Sequence, residues 1–157
     1  MKAVNSIKTK TLLIAILSIL AVASSAFYSQ VCFGAPAEQT SEVQLLARAI
    51  NGEARGEPYE GQVAVGAVIL NRVKSADFPN SVAGVIYQPG AFTAVSDGQI
   101  NVPIDPKSTV VKAAQDALNG WDPTYGCIYY WNPATATSKW IWSRKIIVKI
   151  GKHNFGK

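Results

Sequence analysis

The chain has 157 residues, 48% apolar and 16% charged, which is enough for one domain with its own core. Its formal net charge of +5 falls to +2 if the first three lysines are removed with a leader, because 12 of the 15 Lys and Arg and all 10 Asp and Glu then remain. So modest a charge argues against nucleic acid as a partner, and a single histidine excludes the usual zinc sites of peptidases and amidases, so we expect no metal or cofactor.

The N-terminal segment has the pattern of a secretory signal peptide. Three lysines precede Leu12–Ala23, an apolar run that only Ser18 interrupts. The run is short for a membrane span, which needs about 20 residues, although a retained anchor stays an alternative. Small residues at 24–26 and at 35–37 both fit a cleavage site. We therefore assign residues 1–37 to the signal peptide and linker, and 38–157 to the mature domain.

Only Cys32 and Cys127 are present, and Cys32 can leave with the signal peptide. A disulfide framework is therefore absent from the expected mature domain. An exported domain of this kind must be stabilised by its apolar core.

Two helices are predicted in the first half of the domain. Ser41 and Gln44 match a capping box, apolar residues then recur at helical spacing up to Ala54, and Gly56 and Pro58 follow as a stop. A second helix, over about residues 60–73, is apolar on most sides. We expect that helix to be central and buried.

The rest of the chain predicts shorter elements. Residues 82–87 fit either a helical turn or a strand, and residues 87–106 form a long loop of the kind that is often functional. Asp105 and Pro106 are expected to start a third helix that runs to about Asn119. Residues 127–131 and 146–150 look like strands. The predicted fold class is α+β, mainly α, with a small β element.

Glu53 is the first candidate for chemistry. It follows Leu46 by seven residues, so at 100° per residue it lies within about 20° of Leu46 on the apolar stripe. If the position is desolvated, we expect the neutral carboxyl group to be favoured, which would suit a general acid near neutral pH. A glutamate satisfied by Arg48, Arg55 or a backbone donor is equally compatible with this position.

Other titratable residues give weaker signals. We expect Glu57 to be a solvated carboxylate near the start of the second helix. Asp97, in the long loop, is the best second carboxylate, but it does not stand out. Cys127 and His153 could form a nucleophile and base pair, although the apolar strand around Cys127 favours a buried thiol.

Aromatic and basic residues are concentrated near the C-terminus. If "CIYYW" and "KWIW" alternate as strands, one set of rings can line a groove for the apolar faces of sugars. After Asp122 there is no acidic residue but there are six cations: Lys139, Arg144, Lys145, Lys149, Lys152 and Lys157. These form either a solvated face or a surface that attracts cell-wall polymer or lipid headgroups.

Three long segments, "ARAINGEARGEPYEGQVAVGAVILNRVKSADFPNSVAGVIYQPGAFTAV", "DALNGWDPTYGCIYYWNPATATSKWIWSR" and "IGKHNFG", resemble the catalytic domain of spore cortex-lytic enzymes of the SleB/CwlJ cell-wall hydrolase family. The resemblance covers about residues 45–155 and implies a lysozyme-like single domain that acts on peptidoglycan. It further implies cleavage between N-acetylmuramic acid and N-acetylglucosamine in spore cortex. The family's catalytic glutamate, in "NGEARGE", falls on Glu53.

Similar enzymes act as lytic transglycosylases, in which one carboxyl group is first the acid and then the base. That scheme fits the lack of an evident second carboxylate. The candidate substrate-binding residues are Gln88, Phe92, Thr93, Tyr130, Asn132 and Trp142. We keep two alternatives: a Cys127/His153 cell-wall peptidase, and a non-catalytic wall-binding module.

Targeting and partners are also expectations at this point. Relatives of this kind often carry an N-terminal peptidoglycan-binding domain, whereas here the catalytic block follows the linker, which leaves a germination or vegetative role open. We expect an exported monomer in the cell wall, or in spore cortex or its inner-membrane boundary. Peptidoglycan is its expected partner, and an accessory protein is left open.

Overall fold

The computed structural model describes residues 36–157, with side chains from Ser41 onward, and the predicted signal peptide and Cys32 lie outside the described residues. The elements in chain order are helices α1 (Pro36–Ala54), α2 (Tyr59–Lys74), α3 (Val82–Ile86), α4 (Thr93–Ser96) and α5 (Thr109–Leu118), 3₁₀ turns Gln99–Asn101 and Lys139–Ser143, and strands β1 (Tyr129–Trp131), β2 (Ile146–Ile150) and β3 (His153–Gly156). The predicted class, mainly α with a small β element, is confirmed.

Helix α1 begins earlier than the sequence predicts. Ser41 is predicted as the N-cap, but the helix begins at Pro36 and Ser41 lies inside it. Proline suits a first helical turn, and the alanine, glutamate and glutamine after it are good helix formers. Pro36 and Ala37, which we assigned to the linker, therefore belong to the first turn of this helix. At the other end, the N–H of Glu57 donates to the Ala54 carbonyl at 2.9 Å and closes the helix.

Helix α2 is the central element, as predicted. It exceeds the predicted 60–73 by one residue at each end, and all of residues 61–69 are buried. At Gly66 a Cβ would lie 3.0 Å from Cδ1 of Ile50 in α1 and 3.2 Å from Cβ of Ala117 in α5. The missing side chain lets three helices pack closely at this point.

None of the helices within residues 36–157 has the length and apolar character needed to cross a membrane.

The segment predicted as a long loop is partly helical. It contains α4 and the first 3₁₀ turn, and Phe92 and Ile100, 3% and 2% exposed, anchor it in the core. Buried side chains therefore fix the position of α4.

The stretch before this segment is helix α3. The Ser81 hydroxyl oxygen caps it by accepting the N–H of Gly84 at 3.0 Å.

Helix α5 begins at Thr109, later than the predicted start at Pro106. Asp105 does not cap the helix, because its Oδ1 accepts the N–H of Lys107 at 2.8 Å and forms a turn ahead of it. The helix ends at Leu118, close to prediction, and Gly120 follows with a φ of 99°. Glycine favours this left-handed conformation, which stops the helix.

The three strands form an antiparallel sheet in the order β1-β3-β2. Strand β2 matches its prediction, and β1 is shorter than the predicted 127–131. Strand β3 was not predicted, because histidine, asparagine and glycine are not typical strand residues. Pairing on both sides makes it a strand. Strand β2 lies at the sheet edge with Ile146 and Ile147 exposed.

The strand-like alternation predicted for "KWIW" is wrong. These residues form the 3₁₀ turn Lys139–Ser143, in which side chains three residues apart lie above one another. Ile141 is 6% exposed and anchors the turn, whereas Trp140 and Trp142 are both 51% exposed. The turn thus presents two indole rings at the surface.

Asp122 ties the loop between α5 and β1 to α2. Its Oδ1 accepts the N–H and the hydroxyl of Thr124 at 2.8 and 2.6 Å, and its Oδ2 accepts N–H groups of Asn71 and Gly126 at 2.9 and 2.8 Å. Burial alone would raise the pKa of Asp122, but the hydrogen bonds outweigh it and hold the pKa below the ordinary 3.8.

Because the folded pKa of Asp122 is lowered, the charged carboxylate stabilises the fold above its unfolded pKa, and this contribution is lost as pH falls through the folded value. We expect Asp122→Asn to lower the free energy of unfolding at pH 7 by about 1–3 kcal/mol. It should also reduce the loss of stability below about pH 4. Urea denaturation at both pH values measures this, with the exposed Asp77→Asn as control. An acid-induced loss equal to wild type would contradict the prediction.

Candidate active site

Glu53 lies in the last turn of α1, at the end of the buried stripe that contains Leu46 and Ile50. It is half-buried, and two donors from distant parts of the chain hold its carboxylate. The N–H of Ala94 donates to Oε1 at 3.2 Å, and the Tyr130 hydroxyl donates to Oε2 at 3.2 Å. The orientation of the carboxylate is therefore fixed from both sides, by α4 and by the sheet.

Gly52 allows α4 to approach α1 this closely. A Cβ at position 52 would overlap the Cβ of Ala94 and would lie 3.4 Å from its Cα. The glycine beside Glu53 thus has a packing role, which brings the N–H of Ala94 within hydrogen-bonding distance of the carboxylate. Nothing in the local sequence indicates this contact.

Tyr130 and Arg72 both interact electrostatically with Glu53. Burial and the nearby Glu53 carboxylate raise the pKa of Tyr130 well above 10.0, so its hydroxyl stays neutral and donates. Arg72 donates from Nε to the Ile128 carbonyl at 2.8 Å. Burial lowers the pKa of Arg72 from its ordinary value, and the nearby Tyr130, Tyr129 and Glu53 side chains oppose that shift.

A cleft of about 320 Å³ opens beside Tyr130. Its lining combines aromatic rings, hydroxyl groups and one cation, and consists of Arg72, Ala91, Tyr129, Tyr130, Trp131, Thr135, Ala136, Thr137, Ser138, Trp140 and Ile141. The rings of Tyr129 and Trp140 meet edge to face, with centroids 5.4 Å apart. Flat apolar walls with a few polar groups are typical of ligand clefts.

The six predicted binding residues are spread over the site and its surroundings. Tyr130 lines the cleft and contacts Glu53. Thr93 is exposed at the start of α4, one residue before the donor to Glu53, whereas Phe92 packs in the core.

The remaining three lie outside the cleft lining given above. Gln88 is half-buried, and its backbone carbonyl accepts the N–H of Ala91 at 3.1 Å. Asn132 closes a turn by accepting the N–H of Ala134 on Oδ1 at 2.9 Å. Trp142 is exposed on the 3₁₀ turn. A role of these residues in substrate binding stays a prediction.

The solvated position predicted for Glu57 is wrong. Its side chain is only 5% exposed, its Oε1 lies 3.5 Å from Nδ1 of His153, and its Oε2 accepts the N–H of Lys152 at 2.9 Å. The turn between β2 and β3 lies against the carboxylate, because a Cβ at Gly151 would overlap its Oε2. Because Glu57 and His153 are far apart in the sequence, no local pattern indicates this pair.

Cys127 has no exposed surface and belongs to the apolar core. Burial raises the pKa of its thiol from 9.0. A thiol in this state is a poor nucleophile, since the thiolate is the reactive form.

Among residues 36–157, no group of three or more His, Cys, Asp or Glu side chains is arranged to hold a metal ion.

The chain is similar to known proteins over most of the described region. The profile of a family described as Cell Wall Hydrolase matches residues 56–156, beginning just after Glu53. A spore cortex-lytic enzyme of Bacillus cereus is 64% identical over 117 residues, which are 74% of this chain and 44% of that protein. The Bacillus subtilis enzyme of the same name is 62% identical over 115 residues, 73% of this chain and 37% of that protein. The chain thus spans less than half the length of these relatives.

Two solved structures have the same fold. The crystal structure of the catalytic domain of the Bacillus cereus SleB protein superposes with a TM-score of 0.71 at 63% identity, covering 75% of this chain and 91% of that one. The catalytic domain of the germination-specific lytic transglycosylase SleB from Bacillus anthracis gives a TM-score of 0.73 at 59% identity, covering 81% and 100%.

Proposed function

The chain belongs to the cell wall hydrolase family, and on that premise we propose that it cleaves the glycan strands of peptidoglycan between N-acetylmuramic acid and N-acetylglucosamine. The proposed substrate is spore cortex, the proposed reaction is lytic transglycosylation, and Glu53 is the proposed general acid and base. The names of the spore cortex-lytic relatives and of the Bacillus anthracis transglycosylase domain support this proposal.

The observation that carries the proposal is that Glu53 is held between the N–H of Ala94 and the hydroxyl of Tyr130, a residue that lines the cleft. A carboxyl group held from two sides can be aimed at one bond of a bound glycan. The Tyr130 hydroxyl can both donate and accept, so it can contact the charged and the protonated form of Glu53. That property suits a group that first gives up a proton and then takes one back.

In the proposed reaction, Glu53 gives its proton to the glycosidic oxygen as the bond to C1 of the muramic residue breaks. The C6 hydroxyl of the same residue then bonds to C1 and returns its proton to Glu53. The products are a new hydroxyl on the leaving sugar and a 1,6-anhydromuramic end. Atoms balance without water, and Glu53 ends as it began.

One carboxyl group is enough for this reaction, whereas the usual hydrolases need two. The two candidates for a second carboxylate are engaged elsewhere. Glu57 contacts Lys152 and His153, and Asp97 accepts from the N–H and the side-chain amide of Gln99 at 3.0 and 2.8 Å. These contacts favour transglycosylation over hydrolysis.

We further propose export by the N-terminal segment and action as a monomer at the cell wall or cortex. The six cations after Asp122 are all exposed, which leaves them available for an anionic surface.

Burial of Cys127 and the raised pKa of its thiol weigh against the peptidase alternative.

The test is digestion of purified spore cortex, with the fragments analysed by mass spectrometry. We expect wild type and Cys127→Ala to release muropeptides that end in 1,6-anhydromuramic acid. Reducing ends would mean hydrolysis instead. Cleaved peptide stems on intact glycan, lost in Cys127→Ala, would contradict glycan cleavage, and binding without any product would favour the wall-binding module.

A further inference from the structure

Glu57 and His153 form a buried pair that the proposed reaction does not use. Their side chains are 5% and 12% exposed, and Oε1 of Glu57 lies 3.5 Å from Nδ1 of His153. That nitrogen is buried and has no hydrogen-bond partner among the described residues, since the contact to Glu57 falls outside hydrogen-bond geometry. Burying a carboxylate is costly unless other groups compensate its charge.

The backbone around Glu57 is shaped to hold the carboxylate. Its Oε2 accepts the N–H of Lys152 at 2.9 Å. Gly151 has a φ of 58°, and a Cβ at that position would overlap Oε2 of Glu57. The turn between β2 and β3 therefore closes directly over the carboxylate, and Glu57 links the start of α2 to that turn.

A continuous series of contacts leads from this pair to Glu53. The His153 ring packs edge to face against Tyr130, with centroids 5.5 Å apart and an interplanar angle of 70°. Phe155 also packs against the Tyr130 ring, with a centroid distance of 6.2 Å. The hydroxyl of Tyr130 then donates to Oε2 of Glu53 at 3.2 Å.

We propose that Glu57 and His153 are positioning residues for the reaction: the Glu57 carboxylate lies against Nδ1 of the imidazole, the imidazole packs against the Tyr130 ring, and the Tyr130 hydroxyl orients the Glu53 carboxylate. This inference rests on the proposed role of Glu53. If the pair merely stabilised the fold, its substitution would change the amount of folded protein. The effect of a Glu57 substitution on kcat would then not depend on whether Tyr130 is present.

The test is a double-mutant cycle on the full chain. Glu57→Gln keeps the size of the side chain and an acceptor for Lys152 but removes the charge beside His153. We expect it to lower kcat about tenfold, a loss of about 1.4 kcal/mol of transition-state stabilisation, with KM within about twofold of wild type. In a Tyr130→Phe background the same change should alter kcat less than about twofold. Glu60→Gln, an exposed carboxylate nearby, is the matched control.

His153→Gln serves as the second variant, because its side-chain amide is polar and can donate to Glu57 but lacks the ring that contacts Tyr130. It should reproduce the kcat loss and its dependence on Tyr130, and it decides the question if Glu57→Gln does not fold. An equal loss in both backgrounds, or no loss of kcat, would overturn the proposal.

A second readout does not depend on turnover. In protein labelled with ¹³C at tyrosine Cζ, the Tyr130 resonance, assigned with Tyr130→Phe, should shift in Glu57→Gln and not in Glu60→Gln. An unmoved resonance overturns the positioning inference. A shifted resonance in a protein that cleaves no glycan would instead refute the proposed function alone.

Discussion

Glu53→Gln is expected to lower the rate of glycan cleavage by about a thousandfold or more, because an amide has no proton to give to the glycosidic oxygen. The substitution keeps the shape of the side chain. Its amide oxygen can still accept the N–H of Ala94, and the Tyr130 hydroxyl can turn to accept the new N–H. Stability should therefore change by no more than about 1 kcal/mol.

Release of muropeptides from cortex measures the rate, and thermal denaturation measures the stability. The exposed Glu42→Gln, on the same helix, is the matched control and should behave as wild type. Turnover by Glu53→Gln above about a tenth of wild type would mean that another group protonates the glycosidic oxygen.

Gly52→Ala should both destabilise the protein and impair the reaction. In an isolated helix this change is favourable by about 1 kcal/mol, so helix propensity alone predicts stabilisation. Here the added Cβ overlaps Ala94, and α4 must move away from α1. We expect a loss of about 1–3 kcal/mol of stability, the usual cost of overpacking, and a lower kcat as the Ala94 N–H leaves Glu53.

Two variants make the test specific. Gly56→Ala has no atom within 4 Å of its new Cβ, so it should leave stability and kcat close to wild type. The double variant Gly52→Ala with Ala94→Gly should recover part of the lost activity, because the nearest atom is then the Cα at 3.4 Å. Urea denaturation and cortex digestion measure both quantities. A Gly52→Ala protein as stable as Gly56→Ala would show that the packing is looser than the structure indicates.

The elements that local pattern predicts well are those whose burial repeats along the chain. Helix α2 is apolar on most sides and lies at the centre, and the stripe of Leu46 and Ile50 on α1 leads to Glu53. Periodicity of this kind reports directly which face is buried. The bounds of α2 and β2 were therefore predicted to within a residue.

Contacts between distant residues could not be predicted in this way. Ala94 and Tyr130 both reach Glu53, and His153 reaches Glu57, only after the chain has folded. Strand β3 is set by its two neighbours rather than by its own sequence. Periodicity and the family resemblance could therefore nominate Glu53 as a candidate, but they could not predict the groups that hold it.

The outer position of β2 has a consequence for the behaviour of the protein at high concentration. An edge strand with Ile146 and Ile147 exposed is a template on which the strand of a second copy could pair. Lys145 and Lys149, both exposed, flank these isoleucines, and their like charges repel a second copy. The two lysines thus act as gatekeepers against aggregation, a protection that neutralising their charge by acetylation would remove.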